Sequence, residues 1–253
     1  MRTYAIGDIH GQLALLQAAH ARIARDRAAQ GDAAGDGPGE DGPAPVVHLG
    51  DLVDRGPDSA GVIEYLRQGI AEGAPWVVLK GNHDRMFTGF MDDLHYADPG
   101  LRSGLSWLHP RLGGAATLAS YGVRSPADRP EAAVHADALA AVPQAHRDFL
   151  AARPCWLQRG EVVFVHAGIR PGVPLAAQVE DDLVWIRAPF LEDPRDHGFL
   201  VVHGHTAIDK PTHYGNRVNL DSSAGYGGPL TAVVLEGREV FLLTDQGRVP
   251  LLP

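Results

Sequence analysis

The chain has 253 residues, 45% of them hydrophobic, and a formal net charge of −9. That is enough for a sizeable core, and the acidic balance argues against nucleic acid or an anionic membrane surface as the main partner. The single cysteine, Cys155, excludes an intrachain disulfide; with an N-terminus that opens straight into strand-like residues and no apolar run near ~18 residues, a soluble cytoplasmic protein is expected.

The first apolar run, Thr3-Tyr4-Ala5-Ile6-Gly7, reads as a buried strand and ends in Asp8-Ile9-His10-Gly11. A helix is expected from about Gln12 to Gln30, with Leu13, Leu16, His20 and Ile23 on one face. Residues 31–45 hold five glycines, three prolines, four acidic residues and nothing apolar larger than alanine. Such a stretch cannot bury surface, so a flexible surface loop is expected. Val46-Val47-His48-Leu49 is the second strand and runs into Gly50-Asp51-Leu52-Val53-Asp54-Arg55-Gly56. Asp58 or Ser59 then caps a helix carrying Val62, Ile63, Leu66 and Ile70. The third strand, Trp76-Val77-Val78-Leu79-Lys80, runs into Gly81-Asn82-His83-Asp84. This βαβαβ opening implies parallel strands with right-handed crossovers.

From Arg85 to about Arg153 no strand pattern is visible, and Met86, Phe87, Phe90, Met91, Leu94, Leu101, Leu105, Trp107 and Leu108 suggest short helices. Residues 85–153 are therefore expected to form an inserted helical cap that rims the site. The stretch from Gly113 to Gly122 lies inside it, and its composition assigns it no chemistry. Cys155 reads as a small buried apolar residue. Strands return at Val162–Val165, Phe199–Val202, Arg217–Leu220, Thr231–Leu235 and Val240–Thr244, with a hairpin turn at Glu236-Gly237-Arg238-Glu239. Val162–Val165 runs into His166-Ala167-Gly168, and Phe199–Val202 into His203-Gly204-His205-Thr206. Final strands without helices between them point to antiparallel pairing. The expected fold is an α/β (α+β) single domain, an α-β-β-α sandwich of two mixed sheets flanked by helices.

Five strand ends thus carry Asp, His or Asn beside glycine, and in open α/β sheets ligands sit beyond the carboxyl ends of strands. Together they supply Asp8, His10, Asp51, Asn82, His166 and His205. A set of carboxylates, imidazoles and one amide oxygen, without thiolate, suits manganese, iron or zinc and not a cysteine-built structural zinc. Two such ions ~3.5–4 Å apart can clamp both oxygens of an in-line phosphoryl displacement. His48 and His203 read as packing residues or supports behind the site, Asp84 as a brace for its loop, and Asp181 and Asp182 as a helix start or loop charges.

Taken in order, these five motifs resemble those of the metal-dependent phosphoprotein phosphatases, calcineurin-like metallophosphoesterases, and most nearly their bacterial serine/threonine-specific and phage members. The resemblance runs from about residue 3 to 235. It implies that Asp8, His10 and Asp51 hold one metal, and that Asp51 bridges to a second held by Asn82, His166 and His205. It implies direct attack of a bridging hydroxide on phosphoserine or phosphothreonine, with phosphotyrosine a further substrate. His83 would protonate the leaving oxygen, Asp54 would orient His83, and Arg55 and Arg187 would clamp the phosphate. Tyr226 resembles a tyrosine loop beside the substrate. The implied cofactor is a pair of divalent ions, manganese first, and the implied partner is a phosphoprotein or phosphopeptide. Asp84 stands where eukaryotic members have glutamate, and the middle segment departs from theirs, so no regulatory subunit is implied.

Two rivals remain. A dinucleoside polyphosphate hydrolase, acting on diadenosine tetraphosphate, shares the early motifs, but Asp54 and the His-Gly-His-Thr motif favour the phosphoprotein side. A silent phosphate- or partner-binding scaffold has nothing to recommend it, because every expected ligand and His83 are present.

Overall fold

The computed structural model describes residues 1–30, 42–101 and 105–253. Three parallel strands, β1 (Arg2–Ile6), β2 (Val46–His48) and β3 (Trp76–Val78), form one half of the first sheet. Its other half is the antiparallel series β9 (Ala232–Glu236), β10 (Glu239–Thr244) and β11 (Gly247–Pro250), joined where β1 pairs with β9, Arg2 opposite Glu236. The second sheet runs β4 (Trp156–Arg159), β5 (Val162–Val165), β6 (Leu200–His203), β8 (Arg217–Asn219), β7 (Thr212–His213). Within it β5, β6 and β8 are parallel and the two edges are antiparallel.

Period-2 alternation explains the layers. Ala5, Val47, Leu49, Val233 and Leu235 face Phe164, Val202, Val218 and Leu220 of the other sheet in one core. Their neighbours Tyr4, Ile6, Val46, Val78 and Val234 point outward into a second core with the helices. Val165 and Val201 of the second sheet pack on Leu183, Ile186 and Phe190. The fold is the expected α-β-β-α sandwich. No helix among the described residues is long and apolar enough to cross a membrane.

Helix α1 (Leu13–Gln30) starts and ends within a residue of expectation, but buries Leu16, Ala19, Ile23 and Asp26. Leu13 is only partly buried, and His20 lies in an aromatic cluster with His48, Tyr65 and Trp76. Helix α2 (Ser59–Ala71) is capped by Asp58, which accepts the Gly61 N–H at 2.8 Å. The turn between β9 and β10 is the two-residue Gly237-Arg238, with Gly237 at φ 63°, as the twist of a hairpin demands.

Helices α3 (Asn82–Asp92), α4 (Gly114–Ser120), α5 (Glu131–Ala141) and α6 (Gln144–Ala151) occupy the segment expected as a helical cap. Phe87, Phe90, Trp107, Leu118, Val134 and Phe149 share one core with α1 and α2, and α3 begins at Asn82, inside a strand-end motif.

Three readings need correction or limit. Strands β4, β7 and β11 were not expected: each is short and lies at a sheet edge, and none has a continuous apolar run. Cys155 is half-buried, not buried, and burial pushes its thiol up to about 11, so it stays a thiol at neutral pH. Of the loop expected over 31–45, residues 31–41 lie outside the described residues. The remainder does bury a residue, since Ala44 is covered by the helical core.

Candidate metal centre

All parallel strands of each sheet end at one edge, and the strand-end residues meet there. His10, Asp51 and His83 offer donor atoms within 4.8 Å of one another, and so do Asp51, His166 and His205. Asp51 belongs to both groups. Its Oδ2 is 3.5 Å from His10 Nε2 and its Oδ1 3.4 Å from His166 Nε2. The Oδ1 atom also accepts the backbone N–H of His83 at 2.9 Å. Asn82 Oδ1 stands 3.0 Å from His166 Nε2 and 2.8 Å from His205 Nδ1. Asp8 Oδ2 accepts the His205 N–H at 2.9 Å. All six sequence-predicted ligands are brought together and buried.

The backbone at this edge is strained. His10, Asp51, Asp54, Arg55, His205 and Ser223 all have positive φ, between 47° and 75°. Non-glycine residues tolerate this at ~1–3 kcal/mol each, and only where the surroundings enforce it. The glycines beside them leave no room for a side chain. A Cβ on Gly204 would lie 1.9 Å from Asp8 Oδ1, and one on Gly81 2.2 Å from Asp51 Oδ1. Asp84 braces the same turn, accepting Leu52 N–H and Gly81 N–H at 2.9 Å each.

The donor set fits divalent cations on several independent counts. Asp8 Oδ1 and His205 Nε2 are buried without a hydrogen-bond partner. His10 Nδ1–H donates to the Val53 carbonyl at 2.8 Å and His166 Nδ1–H to that of Leu49 at 2.9 Å, turning both Nε2 lone pairs inward. That pattern orients metal-binding imidazoles. Burial holds His10, His166 and His205 below the usual histidine range, so they are neutral and could serve as ligands. Burial also lifts Asp8, Asp84 and Asp221, with like charge adding to it, whereas Asp51, despite its burial, is held below the usual carboxylate range by His166, His83, His10 and His205 around it. Asp8 is raised by burial and then by Asp221 and Asp51, Asp84 to about 7 by burial and then Asp51, and Asp221 to about 6 by burial and then Asp51. Buried carboxylates that repel one another call for a cation.

His83 Nδ1–H donates to Asp54 Oδ2 at 2.6 Å, and Asp54 is wholly buried. Arg55 contacts His10 Nε2, donates to His83 Nε2 at 2.9 Å and lies 4.7 Å from the Tyr226 ring centroid. Arg187 is half-buried, and its Nη2 is 3.5 Å from the His205 carbonyl. A cleft of about 200 Å³ opens over the ligands, lined by Asp51, Arg55, His83, Trp185, Arg187 and Tyr226 among others. Tyr226 is exposed at its rim. His48 and His203 are buried outside the ligand groups, and Asp181 and Asp182 begin helix α7 (Glu180–Trp185), as expected.

Three features escaped the sequence reading. Asp221 lines the cleft beside Asp8, at the end of β8. The rule used for the other five strand ends would have found it, since Arg217–Leu220 runs straight into it. Trp185 forms a wall of the cleft, its ring edge-on to His205 at 5.6 Å. Trp107 and Thr117 both hydrogen-bond to Asp54, and nothing in their spacing announces it.

A family model of calcineurin-like phosphoesterases matches residues 1–234. No curated protein matches the chain significantly. Among solved structures, one is a protein provisionally described as a diadenosine tetraphosphatase, with TM-score 0.59 and 22% identity over 99% of this chain and 94% of that one. Another is the cold-active protein-tyrosine phosphatase of a psychrophilic Shewanella, with TM-score 0.61 and 18% identity over 99% and 80%. A third is a protein serine/threonine phosphatase from Saccharomyces cerevisiae, with TM-score 0.51 and 14% identity over 99% and 78%. At these identities the likeness is one of fold.

Proposed function

The chain belongs to the calcineurin-like phosphoesterases, and from that premise we propose that it hydrolyses phosphomonoesters on protein side chains, phosphoserine and phosphothreonine first. It is a metallophosphoesterase-superfamily hydrolase; the substrate is the part we infer. The observation that carries it is the buried Asp54–His83 pair at 2.6 Å. A serine or threonine alkoxide is a far more basic leaving group than a phosphate or nucleotide, so it gains most from a positioned acid. Diadenosine tetraphosphate releases a nucleotide that departs without protonation. The cleft agrees: about 200 Å³ falls below the roughly 300–1,000 Å³ of pockets that enclose drug-sized ligands. It suits one phosphorylated side chain with the rest of the substrate lying outside.

Asp8, His10 and Asp51 would hold one divalent ion, and Asp51, Asn82, His166 and His205 the other, manganese being our choice. The pair would supply Lewis-acid polarisation of the phosphoryl group and acidify the attacking water. Arg55 and Arg187 bind the phosphoryl oxygens from the cleft walls. As Arg55 turns to those oxygens it leaves His83 Nε2, which takes up a proton from solvent and passes it to the leaving oxygen. Asp54 keeps the opposite nitrogen, Nδ1, in place throughout. Tyr226 packs its ring on Arg55 and flanks the entering side chain.

The test is kcat/KM of manganese-loaded protein on a phosphoserine peptide, a phosphotyrosine peptide and diadenosine tetraphosphate. A preference of ~100-fold for a phosphopeptide, about 2.7 kcal/mol, is expected. The dinucleotide winning by that margin would overturn the reading. His83→Asn is expected to cut turnover on the phosphopeptide while metal content stays unchanged.

A further inference from the structure

The stretch from Gly113 to Gly122, silent as sequence, reaches the centre of the site. Asp54 Oδ1 accepts the Thr117 hydroxyl at 2.7 Å, and the Asp54 backbone N–H returns to the same Oγ1 at 2.8 Å. Asp54 Oδ2 accepts Trp107 Nε1–H at 2.8 Å, on the same oxygen that takes His83 Nδ1–H. Both carboxylate oxygens are therefore fixed from the helical segment, and Asp54 sits at φ 75°, a backbone it would not keep unaided.

The two glycines explain how α4 comes so close. A Cβ on Gly113 would lie 2.5 Å from the Arg55 backbone nitrogen, and Arg55 N–H donates to the Gly113 carbonyl at 3.2 Å. A Cβ on Gly114 would lie 2.4 Å from the Trp107 indole. With both contacts closed, the helix places Thr117 one turn on, wholly buried against Asp54. Trp107 is locked in turn by Phe87 and Phe90, whose ring centroids are 5.3 and 5.0 Å from its own.

We propose that Trp107 and Thr117 are positioning residues for proton donation: they fix the Asp54 carboxylate so that it aims His83 at the leaving oxygen. The inference rests on the reading of His83 as the acid. It makes the helical segment part of the chemistry and not only of the cleft's rim.

The experiment compares Trp107→Phe and Thr117→Val with the parent protein, all manganese-loaded and with metal content verified. The substrates are a phosphoserine peptide and 2,4-dinitrophenyl phosphate, whose leaving group departs without a proton. On the peptide each variant should lose ~10–100-fold in kcat with KM within about twofold, the scale seen when outer partners of a site are removed. On the dinitrophenyl ester the loss should stay below ~3-fold, because no acid is needed. Thr117→Ser keeps the hydroxyl and should restore the peptide rate. Equal losses on both substrates, or no loss on the peptide, would overturn the proposal. His83→Asn is run in parallel. If it steepens the leaving-group dependence and the other two do not, the bracing inference alone fails; if it does not, the acid reading fails and takes the inference with it.

Discussion

Replacing Gly204 with alanine perturbs the site by one methyl group. The added Cβ would lie 1.9 Å from Asp8 Oδ1. An ordinary carbon–oxygen contact is about 3.3 Å, so the carboxylate must retreat by roughly 1.4 Å. Gly204 lies outside the left-handed region, so the cost is steric and not conformational. Asp8 cannot retreat freely, because its other oxygen accepts the His205 N–H at 2.9 Å. Overpacking of this kind costs ~1–3 kcal/mol of stability. Function should suffer more: a ~1 Å misplacement at a reacting centre can cost on the order of 100-fold. We expect Gly204→Ala to fold, to melt slightly lower in its metal-free form, and to bind manganese at least ~10-fold more weakly by calorimetric titration. Its kcat/KM on a phosphopeptide should fall by ~100-fold or more. Parental metal affinity and rate in the variant would refute the placement of Asp8 at the centre.

Asp221→Asn removes a negative charge beside Asp8 and should weaken manganese affinity ~10-fold; equal affinity in a calorimetric titration of the metal-free protein would remove Asp221 from the centre. Asp98→Ala should cost ~1–3 kcal/mol in urea unfolding, since Arg85 keeps Asp181 at 2.6 Å as a partner while the Trp185 N–H loses its acceptor. It strips a buried carboxylate from Arg85 at 2.7 Å and from the indole N–H of Trp185 at 2.9 Å, and a loss under ~1 kcal/mol would contradict the pairing. His203 is held down to about 3 by burial and then by Arg217, against an ordinary 6.5. The unfolded chain therefore binds the extra proton, and stability is full above pH ~6.5 and drains as pH falls toward 3. At pH 5 this one group accounts for about 2 kcal/mol. His203→Gln in chelator-treated protein should reduce, not abolish, the fall in stability between pH 7 and 5, since the buried His10, His166 and His205 contribute in the same direction; an unchanged slope would rule His203 out as one of the acid-sensitive groups.

Which parts of this were legible in sequence follows from where each residue's partner lies. Asp8, His10, Asp51, Asn82, His166 and His205 follow directly on buried strands, and strand periodicity is written in neighbouring residues. The strand also tells which end faces the site. Thr117 and Trp107 are different. Their partner, Asp54, lies more than fifty positions away, and a buried threonine on a helix of small residues has the same local pattern whether it touches a carboxylate or an alkyl chain. The edge strand β11 was hidden for another reason. Its burial is slight, so no apolar alternation records it, and only pairing with β10 makes it a strand. That the helices of 85–153 pack on the core shared with α1 and α2 was not legible, because amphipathic helices show that they bury a face, not whose core receives it.

The pairing of β1 with β9 has a temporal consequence. Arg2 meets Glu236, and Asp8 meets His205, so β1 waits for a strand that lies more than 200 residues further along the chain. At translation rates of ~5–20 residues per second, the hydrogen-bonding edge of β1 stands open for roughly 10 to 50 s on the ribosome. An exposed strand edge is a template for wrong pairing. The parallel β1–β2–β3 unit with α1 and α2 can form early from nearby residues, and it would then hold that edge in a defined shape until the C-terminal hairpin arrives. The candidate ligand His205 stands nearly 200 residues after Asp8, which its backbone N–H contacts, so the donor set also waits for the second sheet before it can close around a cation.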